Sequence, residues 1–149
     1  ISVDGVEEHK KWKGDIETFA GAKAGFPIIA DNDLTVAKAF DMLPADAYLP
    51  DGRTPNDSAT VRAVFIIGPD KQLKLSMTYP MTVGRNFAEV LRALDGLQTS
   101  TGKGVATPAN WNVGDDVIIP ATLSDDDAKA KFGDFNKILP YLRTTKAPS

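Results

Sequence analysis

The spacing of hydrophobic positions changes several times along the chain, and each change predicts an element. Val6, Trp12, Ile16 and Phe19 recur at helical spacing, and Asp4 followed by Glu7 has the form of a capping box. Residues Gly21 to Gly25 end that helix. Phe26-Pro27-Ile28-Ile29-Ala30 is short, apolar and expected to be extended, with Asp31-Asn32-Asp33 as a turn and helix cap. Leu34, Ala37, Lys38 and Met42 mark a second helix, stopped by Pro44. From Pro44 to Ser58, prolines at 44, 50 and 55 stand among Asp and Asn residues, which predicts a surface loop.

Arg62 to Ile67 is apolar on both faces, as in a strand covered on each side. Gly68-Pro69-Asp70-Lys71 is a turn. Leu73, Leu75, Met77 and Tyr79 then alternate with Lys74, Ser76 and Thr78, as in a strand with one wet face, so the two segments form a hairpin. Phe87, Val90, Leu91, Leu94 and Leu97 predict a long amphipathic helix ended by Gly102 and Gly104. Beyond it the pattern becomes irregular. Pro108 to Asp115 is rich in turn residues, Val117-Ile118-Ile119 is a short strand, Ser124 with Asp127 opens a short helix, and Pro140 to Thr144 is a last strand. Residues 1–105 therefore read as one α/β unit and residues 106–149 as a small C-terminal module.

Composition narrows the chemistry. A net charge of −3 gives no electrostatic reason to expect nucleic acid or an anionic membrane as partner. The apolar runs are too short to span a bilayer, and the cytoplasm is the expected compartment. The chain has no cysteine, which excludes a disulfide framework, a thiolate metal site and a thiol nucleophile within these residues.

His9, the one histidine, stands among Glu7, Glu8, Lys10 and Lys11 and is expected on the solvated side of its helix, not as a general base. Asp125-Asp126-Asp127 resembles a metal clamp, but acidic residues in a first helical turn favour the helix dipole without any ion. No metal and no cofactor is expected. Arg62 is the stronger candidate, because a guanidinium heading an apolar strand is costly to bury unpaired. It is either one half of a structural ion pair or a fixed cation aimed at an anion. Arg85, in Gly84-Arg85-Asn86-Phe87 just before the long helix, is a second candidate; the alternative for it is an ordinary surface arginine.

Arg62 to Lys71, Leu73 to Ser76, Tyr79-Pro80, Gly84 to Phe87, Val105 to Trp111, Gly114-Asp115 and Tyr141 to Thr144 resemble, in order, the one-cysteine peroxiredoxins. The resemblance implies a thioredoxin-like fold, a central mixed sheet with flanking helices that is incomplete here, followed by a small module that takes part in homodimerisation. It implies a thiol peroxidase in which a low-pKa cysteine attacks a peroxide and an external thiol reduces the resulting sulfenic acid. Arg62 and Arg85 fall on the family's two active-site arginines, which hold the thiolate and polarise the peroxide. Some relatives are credited with a phospholipase activity, for which Asp70 would match the acidic member.

The departure from the family is the cysteine itself. In the family it lies in an early Pro-x-x-x-Thr-x-x-Cys stretch that this sequence does not contain. Leaving Val64, Phe65 and Ile66 uncovered would forfeit about 25 cal/mol per Å² of apolar surface, against a domain stability of roughly 5–15 kcal/mol. The natural protein is therefore expected to be longer, and this chain to be inactive alone. Two other classes compete: a non-enzymatic binding domain, and a complementing fragment that pairs with another chain.

Overall fold

The computed structural model describes residues 1–43 and 59–148. The loop expected from Pro44 to Ser58 thus lies outside the described residues. In chain order the elements are α1 (Val6–Ala20), α2 (Thr35–Ala39), β1 (Arg62–Ile67), β2 (Leu73–Tyr79), α3 (Phe87–Lys103), β3 (Val117–Ile119), α4 (Asp125–Phe132), β4 (Asn136–Leu139) and β5 (Leu142–Thr145). They are distributed over two units, residues 1–65 with 76–85 and residues 66–75 with 86–149.

In the first unit, Ser2 bridges Ala30 in parallel. The Ser2 amide donates to the Ile29 carbonyl at 3.1 Å, and the Asp31 amide to the Ser2 carbonyl at 2.8 Å. The helix α1 follows at once. Its N-cap is Gly5, with no side-chain cap, and not the Asp4–Glu7 box the sequence predicts. Asp4 is otherwise engaged: its carboxylate accepts from the Ser2 hydroxyl at 2.6 Å. At the far end Gly21 takes φ 65° and donates to the Glu17 carbonyl, a conformation that costs glycine little. The apolar stripe of α1 is mostly in water, with Val6, Trp12 and Phe19 exposed.

The helix α2 is started by Asp31. Its two carboxylate oxygens accept from the Val36 and Ala37 amides at 2.9 and 2.7 Å. Ala37, Met42 and Leu43 form a buried cluster against which Val61, Ala63 and Phe65 pack. Phe40 joins it with its ring tilted 60° to that of Phe65, the centroids 5.0 Å apart. Successive strand residues face opposite ways, so Ala63 and Phe65 turn to this core while Arg62 and Val64 share the other face. The expectation that β1 is covered on both sides does not hold: Val64 is only half-buried and Ile67 is exposed. β1 and β2 pair as a hairpin, closed by the Gly68 amide on the Gln72 carbonyl at 2.9 Å. In β2 the half-buried residues are Leu75, Met77 and Tyr79, as the predicted alternation has them, while Leu73 at the strand's start is exposed.

In the second unit, α3 is capped by Asn86, whose side chain accepts from the Glu89 amide at 3.2 Å, and ends at Gly104 with φ 64°. Its buried residues are the small Ala93 and Gly96, while Phe87 and Leu91 are exposed. Val105, Trp111 and Val117 form the neighbouring core, with Phe132 and Ala147 packed on it. The C-terminal sheet is antiparallel in the order β3-β5-β4, with Val117 opposite Thr145 and Lys137 opposite Arg143. β4 is not foreseen from sequence, because Asn136-Lys137-Ile138-Leu139 is exposed throughout and carries no two-residue alternation. As predicted, α4 opens at Ser124, whose hydroxyl accepts from the Asp127 amide at 3.0 Å.

Candidate functional site

Arg62 begins β1, directly after Val61, whose amide donates to the Met42 carbonyl at 2.8 Å. That bond and the packing of Ala63 and Phe65 fix the strand. Its alternation then turns Arg62 away from the Met42–Leu43 core, and the residue is exposed. Arg85 lies in the exposed stretch between β2 and α3, two residues after Val83, whose amide closes a turn on the Pro80 carbonyl at 3.0 Å. It is engaged in an interaction of its own. A cation just ahead of a helix start gains nothing from the helix dipole, so helix stability does not account for its position. Arg62 and Arg85 fall in the same compact unit.

The remaining candidates resolve differently. His9 is not on the solvated side of its helix: it is 8% exposed, with Nε2 2.9 Å from the Ser2 hydroxyl. The charged neighbours in sequence mislead because they occupy other faces of α1, while position 9 turns toward the Ser2 segment. Asp125 pairs with Lys137 and with Arg143, and Asp127 with Ser124, so two of the three acidic residues serve α4 and the sheet. Lys137 and then Arg143 hold the Asp125 carboxyl below its usual range. Among the described residues no group of His, Cys, Asp and Glu could hold a metal ion. Asp70 pairs with Lys74 at 2.5 Å and accepts from the Gln72 amide; chiefly through the Lys74 bond its carboxyl is lowered. It is a hairpin-turn residue.

Arg143, 2% exposed, escapes sequence analysis. It donates to Asp125 Oδ1 and to the Pro120 and Leu123 carbonyls, each at 2.8 Å. Its guanidinium carbon stands 5.8 Å from the Phe135 ring centroid. A lone arginine inside a four-residue strand was the signal, and it marks a structural cation.

Residues 1–76 match the AhpC/TSA family, and residues 96–134 match the C-terminal domain of 1-Cys peroxiredoxin. Peroxiredoxin PRX1, mitochondrial, of Saccharomyces cerevisiae is 51% identical over 150 residues, covering 99% of this chain and 56% of that protein. Peroxiredoxin-6 of Gallus gallus is 46% identical over 158 residues, covering 99% of this chain and 69% of its own length. The chain belongs to the 1-Cys peroxiredoxins. Its fold is that of solved peroxiredoxin structures, hence thioredoxin-like. The yeast mitochondrial 1-Cys peroxiredoxin superposes with a TM-score of 0.83 at 49% identity, over 97% of this chain and 68% of that one. Peroxiredoxin 6 of Arenicola marina gives 0.86 at 43% identity, over 98% and 68%. This peroxiredoxin chain thus spans little more than half the length of PRX1, and its sequence contains no cysteine. No helix among the described residues is long and apolar enough to cross a membrane.

Proposed function

We propose that this peroxiredoxin chain is the arginine-bearing part of a thiol peroxidase that reduces hydrogen peroxide and organic hydroperoxides. The observation that carries the reading is the pair Arg62 and Arg85, both exposed and both in one compact unit, in a chain matched end to end by 1-Cys relatives.

A cysteine has an ordinary pKa of about 8.5 and needs neighbouring cations to be a thiolate at neutral pH. In this reading Arg62 holds the thiolate and Arg85 polarises the peroxide. The sulfur attacks one peroxide oxygen, the O–O bond breaks, and the leaving alkoxide or hydroxide takes a proton. Sulfur is thereby oxidised to a sulfenic acid; an external thiol condenses with it to a mixed disulfide with release of water, and a second thiol then frees the cysteine by exchange. The thiol nucleophile comes from outside these 149 residues, since they include no cysteine. The chain alone is inactive in this reading.

We assign residues 1–105 to the thioredoxin-like part and residues 106–149 to a module that takes part in a homodimer. We assign the protein to the cytoplasm; PRX1 is named as mitochondrial, and recovery with mitochondria on cell fractionation would replace that assignment. Exposure of Val6, Trp12 and Phe19 on one helix favours a second reading, a fragment completed by another chain. One experiment tests the first reading. In the full-length protein, Arg62→Ala slows peroxide reduction by roughly 100-fold, about the loss of one charge-stabilising group, and raises the cysteine pKa. Unchanged kinetics and an unchanged thiol titration would remove Arg62 from the chemistry.

A further inference from the structure

The helix α1 lacks a side-chain cap at Gly5, yet its first turn is tied down by another device. Side chains on a helix lean toward its N-terminus, and His9 leans back over that turn to the chain segment preceding the helix. Its Nε2 lies 2.9 Å from the Ser2 hydroxyl oxygen. The same oxygen lies 2.6 Å from Asp4 Oδ2 and accepts from the Asp4 amide at 3.2 Å. Nδ1 of His9 is buried without a hydrogen-bond partner.

A hydroxyl has one hydrogen. With that hydrogen directed to the Asp4 carboxylate, Ser2 can only accept from His9. We infer that His9 is a latch: fixed as the Nε2–H tautomer, it donates to Ser2 and fastens the first turn of α1 to the Ser2–Ala30 bridge. The order of the three groups makes this a structural relay and not a nucleophile. Ser2 gives its proton toward a carboxylate and receives one from the imidazole, so its oxygen is not activated by a base.

The latch joins elements that are otherwise weakly held. The bridge at Ser2 has two backbone bonds, the Ser2 amide on Ile29 and the Asp31 amide on Ser2. The first helical bond of α1 is the His9 amide on the Gly5 carbonyl at 3.1 Å. Because His9 supplies both that amide and the side chain that grips Ser2, opening the bridge and unwinding the first turn become one event.

Two measurements on the purified full chain test this. In the unaltered protein, imidazole ¹⁵N shifts place the hydrogen on Nε2; a hydrogen on Nδ1 would overturn the latch. Native-state hydrogen exchange is then followed at the Asp31 and His9 amides. His9→Leu keeps bulk but donates nothing, and raises exchange at both by about tenfold, the scale of one lost hydrogen bond. His9→Gln, whose amide nitrogen reaches as Nε2 does, restores protection. Ser2→Ala, which leaves the packing of position 9 intact, reproduces the Leu effect and serves if His9→Leu fails to fold. Exchange at Asp31 and His9 unchanged in Ser2→Ala, or changed at one amide only, would sink the inference.

Discussion

Arg143 Nη1 stands 2.8 Å from Asp125 Oδ1, which joins β5 to the first turn of α4. Its other terminal nitrogen donates to the Pro120 and Leu123 carbonyls. The planar fork of arginine reaches three acceptors from one buried position, and a lysine ammonium at that position cannot. Arg143→Leu therefore leaves the Pro120 and Leu123 carbonyls without this donor and the Asp125 carboxylate with Lys137 alone. It destabilises the protein by about 3 kcal/mol, read as a lower urea midpoint. Arg143→Lys recovers less than half of the loss; a lysine variant matching the unaltered protein would show that the fork is dispensable.

Acid acts on Asp125 and on Glu89 of α3. Asp125 is held below its ordinary range by Lys137 first and Arg143 second, and Glu89 by Arg92. A carboxylate with a lower pKa folded than unfolded stabilises the fold above its unfolded value. That contribution disappears as the pH falls through the folded value. The unfolded values lie near pH 4, so urea midpoints hold steady above about pH 5 and drop below it. Asp125→Asn is less stable at neutral pH and shows a shallower acid limb. Parallel acid limbs in the two proteins would show that Asp125 is not part of the linkage.

Gly96 offers a gain. A Cβ built there meets Thr107 Oγ1 at 3.6 Å and Trp111 Cζ3 at 3.9 Å, ordinary contact distances. The residue sits inside a 17-residue helix, where glycine costs roughly 0.5–1 kcal/mol relative to alanine. Gly96→Ala accordingly raises the thermal midpoint, whereas Gly96→Val pushes Trp111 off the helix and lowers it. A lower midpoint for the alanine variant would mean that the Trp111 contact has no slack.

Local patterns carried much of this structure, and they failed where a partner far along the chain decides the outcome. The alternation of Leu73 to Tyr79 and the Ser124 cap were legible because both are set within a few residues. The burial of His9 was not, since it depends on Ser2 and the bridge to Ala30 and not on the charged residues beside it. Arg143 was missed for the same reason: its acceptors lie about twenty residues upstream. β4 has no internal pattern and exists by pairing with β5. Of the candidate site, Arg62 and Arg85 stood out in the sequence by their places at the head of an apolar strand and before a long helix, the resemblance supplied the role proposed for them, and their exposure follows from the alternation of β1 and the stretch before α3.

Asp31 carries one last consequence. A helix of five residues is far below the length that sustains itself in water, so α2 exists because a single buried carboxylate receives the amides of Val36 and Ala37. The amide of the same residue hydrogen-bonds to Ser2. One residue, through its amide on one side and its carboxylate on the other, therefore acts as a keystone between the bridge and the Met42–Leu43 cluster that backs β1, and the footing beneath Arg62 is only as firm as that aspartate.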